Sequence, residues 1–457
     1  MYKDFEYIVI RGGRLFDPSQ KLDMLGDLVL GQGKVLWWGE QGSIPQNILG
    51  TSGKALIFDA SELIVTPGFI DLHCHLREPG FEYKETIASG TRAAARGGFT
   101  TICCMPNTNP PIDSTAIVEY IYKKAAEVSS IRVLPIGCIS KGRKGEQLAE
   151  MGELYEAGVV GFSDDGNPVM NSSLMLHALE YSTAFGLPVI DHCEDLNLSS
   201  GGAMNEGEVS ALLGLKGIPA AAEEIMVARD IALAEICNAR LHLAHISTTG
   251  SLEIIRRAKE KGLSVTCEVT PHHLCFTEEW VKGYNSNAKV NPPLRTRKDV
   301  SALSKGLEAG HIDAIATDHA PHTLEDKLCE FDIAASGISG LETALACLLT
   351  NTKNVSLKTI ISRLTSGPAA VLCPQNKNSH PALKVPAHLG TLKIGAPADV
   401  AALNPEKSWK VDVSEFLSKG RNTPLAGMTL KGKVVATFAG GKVAYMAEQE
   451  RLRKSEV

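Results

Sequence analysis

The sequence lacks the features of a membrane, secreted or nucleic-acid-binding protein. No apolar run approaches the roughly 18 residues that a membrane helix requires. The opening residues, MYKDFEYIVIRGG, are too polar and charged for a signal peptide. With 46 basic and 52 acidic residues the chain has a net charge of −6 and no basic block, so the electrostatic pattern of a nucleic-acid partner is missing.

The cysteines do not form a recognisable framework either. There are 11 of them, an odd number, and none belongs to a CxxC pair. This pattern argues against a disulfide scaffold and against a cysteine-ligated zinc site. It favours a reducing compartment, so we predict a cytoplasmic protein in which most cysteines are small core residues.

Between about residues 64 and 340, short apolar segments alternate with longer helix-like stretches, which predicts an α/β protein. Eight segments are strand candidates: 63–72, 99–105, 131–139, 158–163, 187–192, 240–246, 263–269 and 312–318. Eight strands that alternate with helices favour a closed, TIM-like (β/α)8 barrel. An open doubly wound sheet is the alternative, but no G-x-G-x-x-G follows any of these strands.

The two ends of the chain resemble each other and differ from its middle. Residues 6–38 and 390–445 both show short strand patterns separated by tight turns. We predict that both ends pack into one small β-sandwich beside the barrel. The predicted division is 1–62 and 374–457 for the sandwich and 63–373 for the barrel. The polar, proline-containing segment 374–389 has the composition of a linker or surface loop.

Histidines and aspartates concentrate where the predicted strands end, which is where a (β/α)8 barrel carries its chemistry. Much of the set of 13 histidines falls at these few places. The residues are His73 and His75 after the first strand, Asp164 and Asp165 after the fourth, His192 after the fifth, His242 and His245 after the sixth, and Asp318, His319 and His322 after the eighth.

This set of side chains has the chemistry of a metal site. His73 and His75 are two residues apart, so on a strand they point to the same side. Neutral imidazoles and carboxylates that converge on one place suit borderline divalent cations such as zinc. A carboxylate between two cations can bridge them, and such cations lower the pKa of water toward neutrality. The pattern therefore predicts a site that can supply a nucleophile.

Several segments, in this order, resemble the cyclic amidohydrolases of the metal-dependent amidohydrolase superfamily, and among them the bacterial class I dihydroorotases. They are PGFIDLHCHLREPG (67–80), GGFTTICCMPNTNP (97–110), GFSDDG (161–166), DHCED (191–195), LAHIST (243–248), NPPLR (291–295), TDHAPH (317–322) and SGISGLET (336–343). HxH or NPPLR alone is shared with related hydrolases, whereas HxHxR, GFSDDG and TDHAPH together are specific. The resemblance covers nearly the whole chain.

The resemblance implies a centre of two zinc ions. The implied ligands are His73, His75 and Asp318 for one zinc, and His192 and His245 for the second. Asp165 would bridge the pair, since it lies 27 residues before His192, the spacing of the family. Asp164 is then a turn residue or a support for the ligands. Many relatives carry a carboxylated lysine as the bridge, so the aspartate leaves open whether one or two zinc ions are bound.

The resemblance also implies a substrate, dihydroorotate, which is formed from N-carbamoyl-L-aspartate in de novo pyrimidine biosynthesis. Asp318 would carry the proton. The implied substrate contacts are Arg77, Asn107 and His322 around the carboxylate, Asn291, Ser336 and Gly337 around the pyrimidine ring, and, in addition, His75. The planar guanidinium of Arg77 can bind a carboxylate through two hydrogen bonds. The loop 325–340 could close over the substrate.

Two other functions are compatible with these motifs. One is a different cyclic amidohydrolase, an allantoinase or dihydropyrimidinase. The other is a non-catalytic relative that serves as a partner of aspartate transcarbamoylase, although every ligand implied by the resemblance is present here. We expect a homo-oligomer, with association with that transcarbamoylase as a further possibility, and neither nucleic acid nor membrane as a partner.

Overall fold

The computed structural model describes residues 5–49, 54–372 and 384–456. Residues 374–383 of the predicted linker therefore lie outside the described part. The strands are β1 (Tyr7–Asp17), β2 (Leu22–Gly31), β3 (Lys34–Glu40), β4 (Lys54–Asp59), β5 (Ile64–Pro67), β6 (Phe69–Cys74), β7 (Phe99–Cys104), β8 (Arg132–Pro135), β9 (Val189–Asp191), β10 (Met204–Asn205), β11 (Gly217–Ile218), β12 (Leu241–Leu243), β13 (Val265–Val269), β14 (Ala314–Ile315), β15 (Val400–Lys410), β16 (Thr429–Ala439), β17 (Lys442–Met446) and β18 (Leu452–Glu456).

The helices lie mostly between the strands of the middle region. They are α1 (Gln46–Leu49), α2 (Ile87–Arg96), α3 (Thr115–Val128), α4 (Met151–Ala157), α5 (Ser172–Ser182), α6 (Leu196–Ser199), α7 (Glu208–Leu213), α8 (Ala221–Cys237), α9 (Thr249–Glu260), α10 (Pro271–Cys275), α11 (Arg297–Glu308), α12 (Ala344–Asn351), α13 (Leu357–Leu364) and α14 (Ser366–Leu372). None of the described helices is both long and apolar enough to cross a bilayer.

The middle region forms the predicted (β/α)8 barrel. Strands β6, β7 and β8 pair in parallel, and so do β9, β12, β13 and β14. Phe162 joins the two groups by parallel bridges to Gly137 and Val189, and a bridge from Cys74 to His319 closes the circle. The fourth predicted strand, 158–163, is thus reduced to its bridges at Phe162.

The predicted strand 63–72 is in fact two strands, β5 and β6, which are separated at Gly68. Strand β5 pairs with β1 and β15 outside the barrel, whereas β6 is the first barrel strand. A Cβ on Gly68 would lie 2.3 Å from Cγ2 of Thr100. Only glycine therefore fits where the chain passes from one sheet to the other.

Strands from both chain ends form a second sheet of nine strands, in the order β17-β16-β15-β5-β1-β2-β3, with β4 between β1 and β18. Its core is built from both ends of the chain, and Phe58 packs edge-on against Phe438 with ring centroids 5.4 Å apart. The predicted β-domain of both termini is therefore present. The division at residues 62 and 373 remains a prediction.

The segment 411–428, between β15 and β16, leaves this sheet and packs against the barrel. Val411, Phe416 and Leu425 share a buried cluster with Phe276 and Ile338, which belong to the barrel region. A part of the C-terminal region therefore reaches the face of the barrel at which strands β13 and β14 end.

Candidate active site

The six predicted metal ligands lie together at the carboxyl ends of the barrel strands, and all are buried. His73 belongs to β6 and His75 follows it; Asp165 follows the bridge residue Phe162; His192, His245 and Asp318 follow β9, β12 and β14. Because the strands are parallel, their carboxyl ends meet on one face of the barrel. Residues separated by up to 245 positions in sequence are therefore neighbours.

The first group of ligand atoms surrounds Asp165. Its Oδ1 lies 3.2 Å from Nε2 of His73, and its Oδ2 lies 3.6 Å from Nε2 of His75. Nε2 of His75 is also 3.1 Å from Oδ1 of Asp318. Four side chains from three strand ends therefore direct their donor atoms toward one another.

The second group of ligand atoms approaches the same carboxylate. Nδ1 of His192 and Nε2 of His245 are 3.0 Å apart. They lie 3.7 Å and 3.5 Å from Oδ1 of Asp165. Asp165 thus belongs to both groups, which is the position that a bridging ligand requires.

The donor atoms fit divalent cations. Nε2 of His73 and Oδ1 of Asp165 are buried and have no hydrogen-bond partner among the described residues, which is unfavourable unless another group binds them. Two donors bound tetrahedrally at about 2.0–2.1 Å lie roughly 3.3 Å apart, close to the separations found here. Together with the donor set, these distances support a metal cofactor.

Each of three imidazoles is held at its other nitrogen. Nδ1 of His73 is 2.9 Å from Oε1 of Glu268, and Nδ1 of His75 is 2.9 Å from Oδ1 of Asn107. Nε2 of His192 is 2.9 Å from Oε2 of Glu194. In each pair the oxygen can accept the ring N–H, which leaves the opposite nitrogen free to bind a cation.

The electrostatics of the cluster favour positive charge at its centre. Burial opposes protonation of His73, but the adjacent carboxylate of Asp165 raises the pKa of His73 well above its usual value. Burial likewise opposes protonation of His192, while Asp165 and Glu194 raise its pKa to about 10. Burial opposes ionisation of Asp165, yet the histidines, His73 foremost, lower its pKa well below the usual range. A bound cation would take the place of the protons that these pKa values favour on His73 and His192.

The backbone that carries Asp165 is fixed by its neighbour. Asp164 accepts hydrogen bonds from the backbone N–H groups of Ile139 (2.9 Å) and Ser140 (3.1 Å), and from the Ser140 hydroxyl. The guanidinium of Arg143 donates to the backbone oxygen of Asp165. Burial raises the pKa of Asp164 to about 6, although these hydrogen bonds oppose the shift.

A cavity of about 270 Å³ opens beside the cluster. It is lined by His75, Arg77, Asn107, Asp165, Gly166, His192, His245, Asn291, Asp318, Ala320, His322, Ser336 and Gly337. Every residue predicted to contact substrate is therefore at this cavity. Of the predicted ligands only His73 is set back from the wall, and it is fully buried.

Three of the lining residues have a left-handed backbone although none is glycine. They are Arg77 (φ 60°), His245 (φ 30°) and Asp318 (φ 45°). Such conformations cost of order 1–3 kcal/mol each and occur mainly where the surrounding structure enforces them, often at functional sites. The barrel thus holds these three side chains in orientations that the local chain disfavours.

Arg77 is a half-buried cation on the wall of the cavity. Its Nε donates to the backbone oxygen of Pro321 at 3.4 Å, and one terminal nitrogen lies 3.4 Å from Nε2 of His322. Burial lowers the pKa of Arg77, while the charges of Asp318 and Asp165 raise it. No carboxylate within 4 Å neutralises it among the described residues, so it is available to an anionic ligand.

His322 is neutral in this setting. Burial, the charge of Arg77 and that of Lys84 are among the causes that lower its pKa to about 3. Its Nε2 is 2.9 Å from the backbone oxygen of Ser336, and its Nδ1 is 3.4 Å from Nζ of Lys84. A neutral ring that donates from Nε2 to Ser336 and accepts from Lys84 satisfies both contacts. In that tautomer His322 can donate to a substrate only by exchanging its bond to Ser336.

Two other histidines at strand ends belong to the surrounding structure. The ring of His242 lies 2.8 Å from the Thr266 hydroxyl and 3.1 Å from Glu268. The ring of His319 accepts from the backbone N–H of Gly340 at 3.1 Å and lies 3.2 Å from Glu85. Neither is directed at the cation cluster, so position at a strand end does not by itself identify a ligand.

Three residues that support the site were not predicted from the sequence: Glu268, Glu194 and Lys84. Glu268 was detectable as a charged residue inside the apolar strand β13, because a buried carboxylate requires partners. Glu194 was detectable because it lies two residues after His192. Lys84 gives no local signal, since its approach to His322 joins positions that are distant in sequence.

Comparisons with known proteins agree with the site. Residues 62–251 match the family model described as dihydro-orotase-like. The dihydroorotase of Citrifermentans bemidjiense is 51% identical over 442 residues, which cover 96% of this chain and 100% of the relative. The dihydroorotase of Caldanaerobacter subterraneus subsp. tengcongensis is 49% identical over 456 residues, which cover 98% of this chain and 100% of the relative.

Solved structures of related hydrolases share the fold. The L-hydantoinase (dihydropyrimidinase) of Arthrobacter aurescens superposes with a TM-score of 0.83 at 25% identity, covering 97% of this chain and 96% of that one. The dihydropyrimidinase of Brevibacillus agri gives 0.78 at 20% identity, covering 96% and 95%. These similarities concern the barrel with its β-domain, whereas the relatives of about 50% identity share the sequence as well. The chain therefore belongs to the dihydroorotase family of cyclic amide hydrolases.

Proposed function

We propose that this chain interconverts N-carbamoyl-L-aspartate and (S)-dihydroorotate, with loss or gain of water, in de novo pyrimidine biosynthesis. The observation that carries the proposal is a single cavity that joins a cluster of cation ligands to the unneutralised guanidinium of Arg77. A dihydroorotate ring offers a carbonyl for hydrolysis and a carboxylate for the guanidinium. The dihydroorotase names of the relatives support the same substrate.

We propose zinc as the cofactor, with two ions per chain. His73, His75 and Asp318 would hold one ion, His192 and His245 the other, and Asp165 would bridge them. The two groups of three ligand atoms that share Asp165 support this count. Bound divalent cations polarise a carbonyl and lower the pKa of water.

Asp318 is placed to move the proton. Burial opposes its ionisation, but its hydrogen bond with His75 and the charge of His73 lower its pKa, so it begins as a base. In hydrolysis it accepts the proton that water releases on adding to the ring carbonyl. It then donates this proton to the ring nitrogen that leaves. Ring closure uses the same transfers in reverse.

Arg77 and Asn107 would bind the carboxylate of the substrate. Asn107 gives its amide oxygen to Nδ1 of His75, so its NH2 group remains to donate. Asn291 donates to Glu194 at 2.8 Å, which ties the ring side of the cavity to His192. His322 and the backbone at Ser336 and Gly337 complete this wall.

We further propose a cytoplasmic homo-oligomer that can associate with aspartate transcarbamoylase. All cysteines of the described residues are free, which suits a reducing compartment and supports the cytoplasmic location. The oligomer and the transcarbamoylase partner rest on the family resemblance alone. The loop 325–340 contributes Ser336 and Gly337 to the cavity wall, which is a suitable position for closure over a bound substrate.

The deciding experiment is ring closure of carbamoyl aspartate by the purified chain, with metal analysis of the same sample and a chelated control. We expect turnover that is lost on chelation and restored by zinc. Turnover that survives complete removal of metal would contradict the metal-dependent reaction. Bound metal with turnover of allantoin or dihydrouracil, and none of carbamoyl aspartate, would assign a different cyclic amide.

The substitution His192→Ala tests the number of metal ions. Two filled sites predict that the metal content falls by about one ion per chain. An unchanged content would mean that the second site is not filled, which would contradict the count of two. His177→Ala is the control, because His177 lies on helix α5 away from the ligand groups.

A further inference from the structure

The C-terminal region contributes a short segment to the substrate side of the barrel. Residues 418–422 lie between β15 and β16, within the part of the chain that leaves the β-domain. A Cβ on Gly420 would lie 2.2 Å from the Ser339 hydroxyl and 2.6 Å from Cβ of Pro321. The backbone of this segment is therefore pressed against both Pro321 and Ser339, which flank the cavity wall.

Asn422 uses its whole amide in this contact. Its NH2 group donates to the backbone oxygens of Ala320 (2.9 Å) and Gly337 (3.0 Å). Its Oδ1 accepts from the backbone N–H of His322 (3.0 Å) and from the Ser339 hydroxyl (2.8 Å). An asparagine amide has two donors and two acceptor positions, and here all four are satisfied by protein.

The four partners belong to two different walls. Ala320 and His322 follow the last ligand, Asp318, whereas Gly337 and Ser339 end the long loop after it. The backbone oxygen of Asn422 accepts a fifth hydrogen bond, from the N–H of Ser339 at 2.8 Å. Asn422 is buried, so water cannot easily replace these bonds.

The distance between these walls is set tightly. Gly337 has φ 143°, and a Cβ there would lie 2.6 Å from Cβ of Ala320. Ala320 also donates its N–H to Ile338 at 2.9 Å. A change in the link at Asn422 would therefore move His322 relative to Gly337, and displacements of about 1 Å in such walls affect substrate alignment strongly.

We propose that Asn422 is a positioning residue for substrate recognition, which holds His322 and Gly337 at the separation that the ring and carboxylate of the substrate require. This inference rests on the proposed function. If it holds, residues 418–422, which lie outside the barrel, contribute to substrate affinity. Asn422 itself does not line the cavity, so it acts through its partners.

The substitution Asn422→Asp tests the inference most sharply. It keeps the shape and both accepted bonds, but it places an oxygen against the carbonyl groups of Ala320 and Gly337. We expect KM for dihydroorotate to rise about tenfold or more, with kcat within about threefold and metal content unchanged. Inhibition by orotate, a planar ring acid, should weaken in parallel.

Asn404→Asp is the matched control. Asn404 lies in the β-domain, and its Oδ1 accepts from the N–H groups of Glu406 and Lys407, both at 3.0 Å, which an aspartate can also do. It should keep the wild-type KM. A wild-type KM in Asn422→Asp, or a loss confined to kcat, would overturn the inference.

Asn422→Ala removes all four side-chain hydrogen bonds without adding charge. If the aspartate variant is insoluble, the alanine variant tests the positioning role of Asn422 instead. A soluble alanine variant should also show the raised KM. Failure of both variants to fold would assign Asn422 a purely structural role and overturn the inference. Absence of turnover in the wild-type chain would instead reject the proposed function, so the two failures are distinguishable.

Discussion

Glu268 accepts a hydrogen bond from Nδ1 of His73 across 2.9 Å, although the two residues lie on strands that are far apart in the chain. The same carboxylate lies 3.1 Å from Nε2 of His242. Burial opposes its ionisation, but these two histidines lower the pKa of Glu268 to about 2. A fully buried carboxylate therefore sets the tautomer of His73 and directs its Nε2 toward Asp165.

Replacing Glu268 by glutamine should weaken metal binding without removing a ligand. The amide keeps the shape of the side chain but loses its charge. Its NH2 group can also face the Nδ1–H of His73, so that two donors meet. We expect the affinity for zinc to fall about 10–100-fold, as is typical for partners of metal-binding histidines. Competition with a chelator of known affinity measures the zinc affinity of each variant. The exposed Glu119→Gln is the control, and equal affinities in the two variants would contradict the role of Glu268.

Replacing Asp318 by asparagine should abolish proton transfer while the fold remains. The amide keeps an oxygen that can bind a cation, but it cannot accept and return a proton. We expect kcat to fall at least about 10²-fold in both directions, with KM changed little. Steady-state kinetics with metal analysis on each sample checks this. Turnover near that of wild type would remove Asp318 as the proton carrier.

Replacing Arg77 by lysine should weaken the binding of dihydroorotate more than it slows the reaction. A lysine is a point charge and cannot reproduce the two parallel hydrogen bonds of a guanidinium. We expect KM to rise about tenfold, which corresponds to about 1.4 kcal/mol. Arg92→Lys, on the exposed side of helix α2, is the control. An unchanged KM would mean that the carboxylate binds elsewhere.

The barrel and the location of the site were predictable because both follow from local patterns. Alternating apolar and helical segments predict the strand order, and parallel strands bring their carboxyl ends to one face. Residues such as His75 and Asp318 are therefore neighbours by topology. The break at Gly68 was missed because a continuous apolar run does not show which sheet each half enters.

The contacts that position the ligands depend on side-chain direction and on long-range packing, and sequence pattern reports neither. His242 and His245 end the same strand, yet only His245 is directed at Asp165. Asn422 lies 100 residues from His322, in a segment with no periodic signal. The roles proposed for the residues that line the cavity remain predictions.

Lys327 is a buried lysine in the loop after the last ligand. Its Nζ donates to the backbone oxygens of Ala335 (2.6 Å) and Ser286 (3.0 Å). Burial, and then the nearby charge of Lys289, lower its pKa to about 7, while Asp326 opposes the shift. Lys289 is itself bonded to this loop, since its Nζ donates to the backbone oxygens of residues 331 and 332, both at 2.8 Å.

This low pKa makes stability depend on pH with a definite sign. In the unfolded chain a lysine titrates near 10.4, so between about pH 7 and 10 the unfolded state binds more protons than the folded state. The free energy of unfolding contributed by Lys327 therefore rises with pH over this window. Below about pH 7 Lys327 is protonated in both the folded and the unfolded state. The destabilisation caused by burying its charge then has its full value and no longer changes with pH.

The variant Lys327→Met removes this titration. We expect the melting temperature of the wild type, relative to this variant, to increase as the pH is raised from about 7 to 10. Thermal unfolding in matched buffers measures the difference in melting temperature. The titration of groups distant from residue 327 cancels in this difference. Lys298→Met, at an exposed position of helix α11, should give a constant difference. A constant difference for Lys327→Met as well would show that its ammonium group is not destabilised by burial.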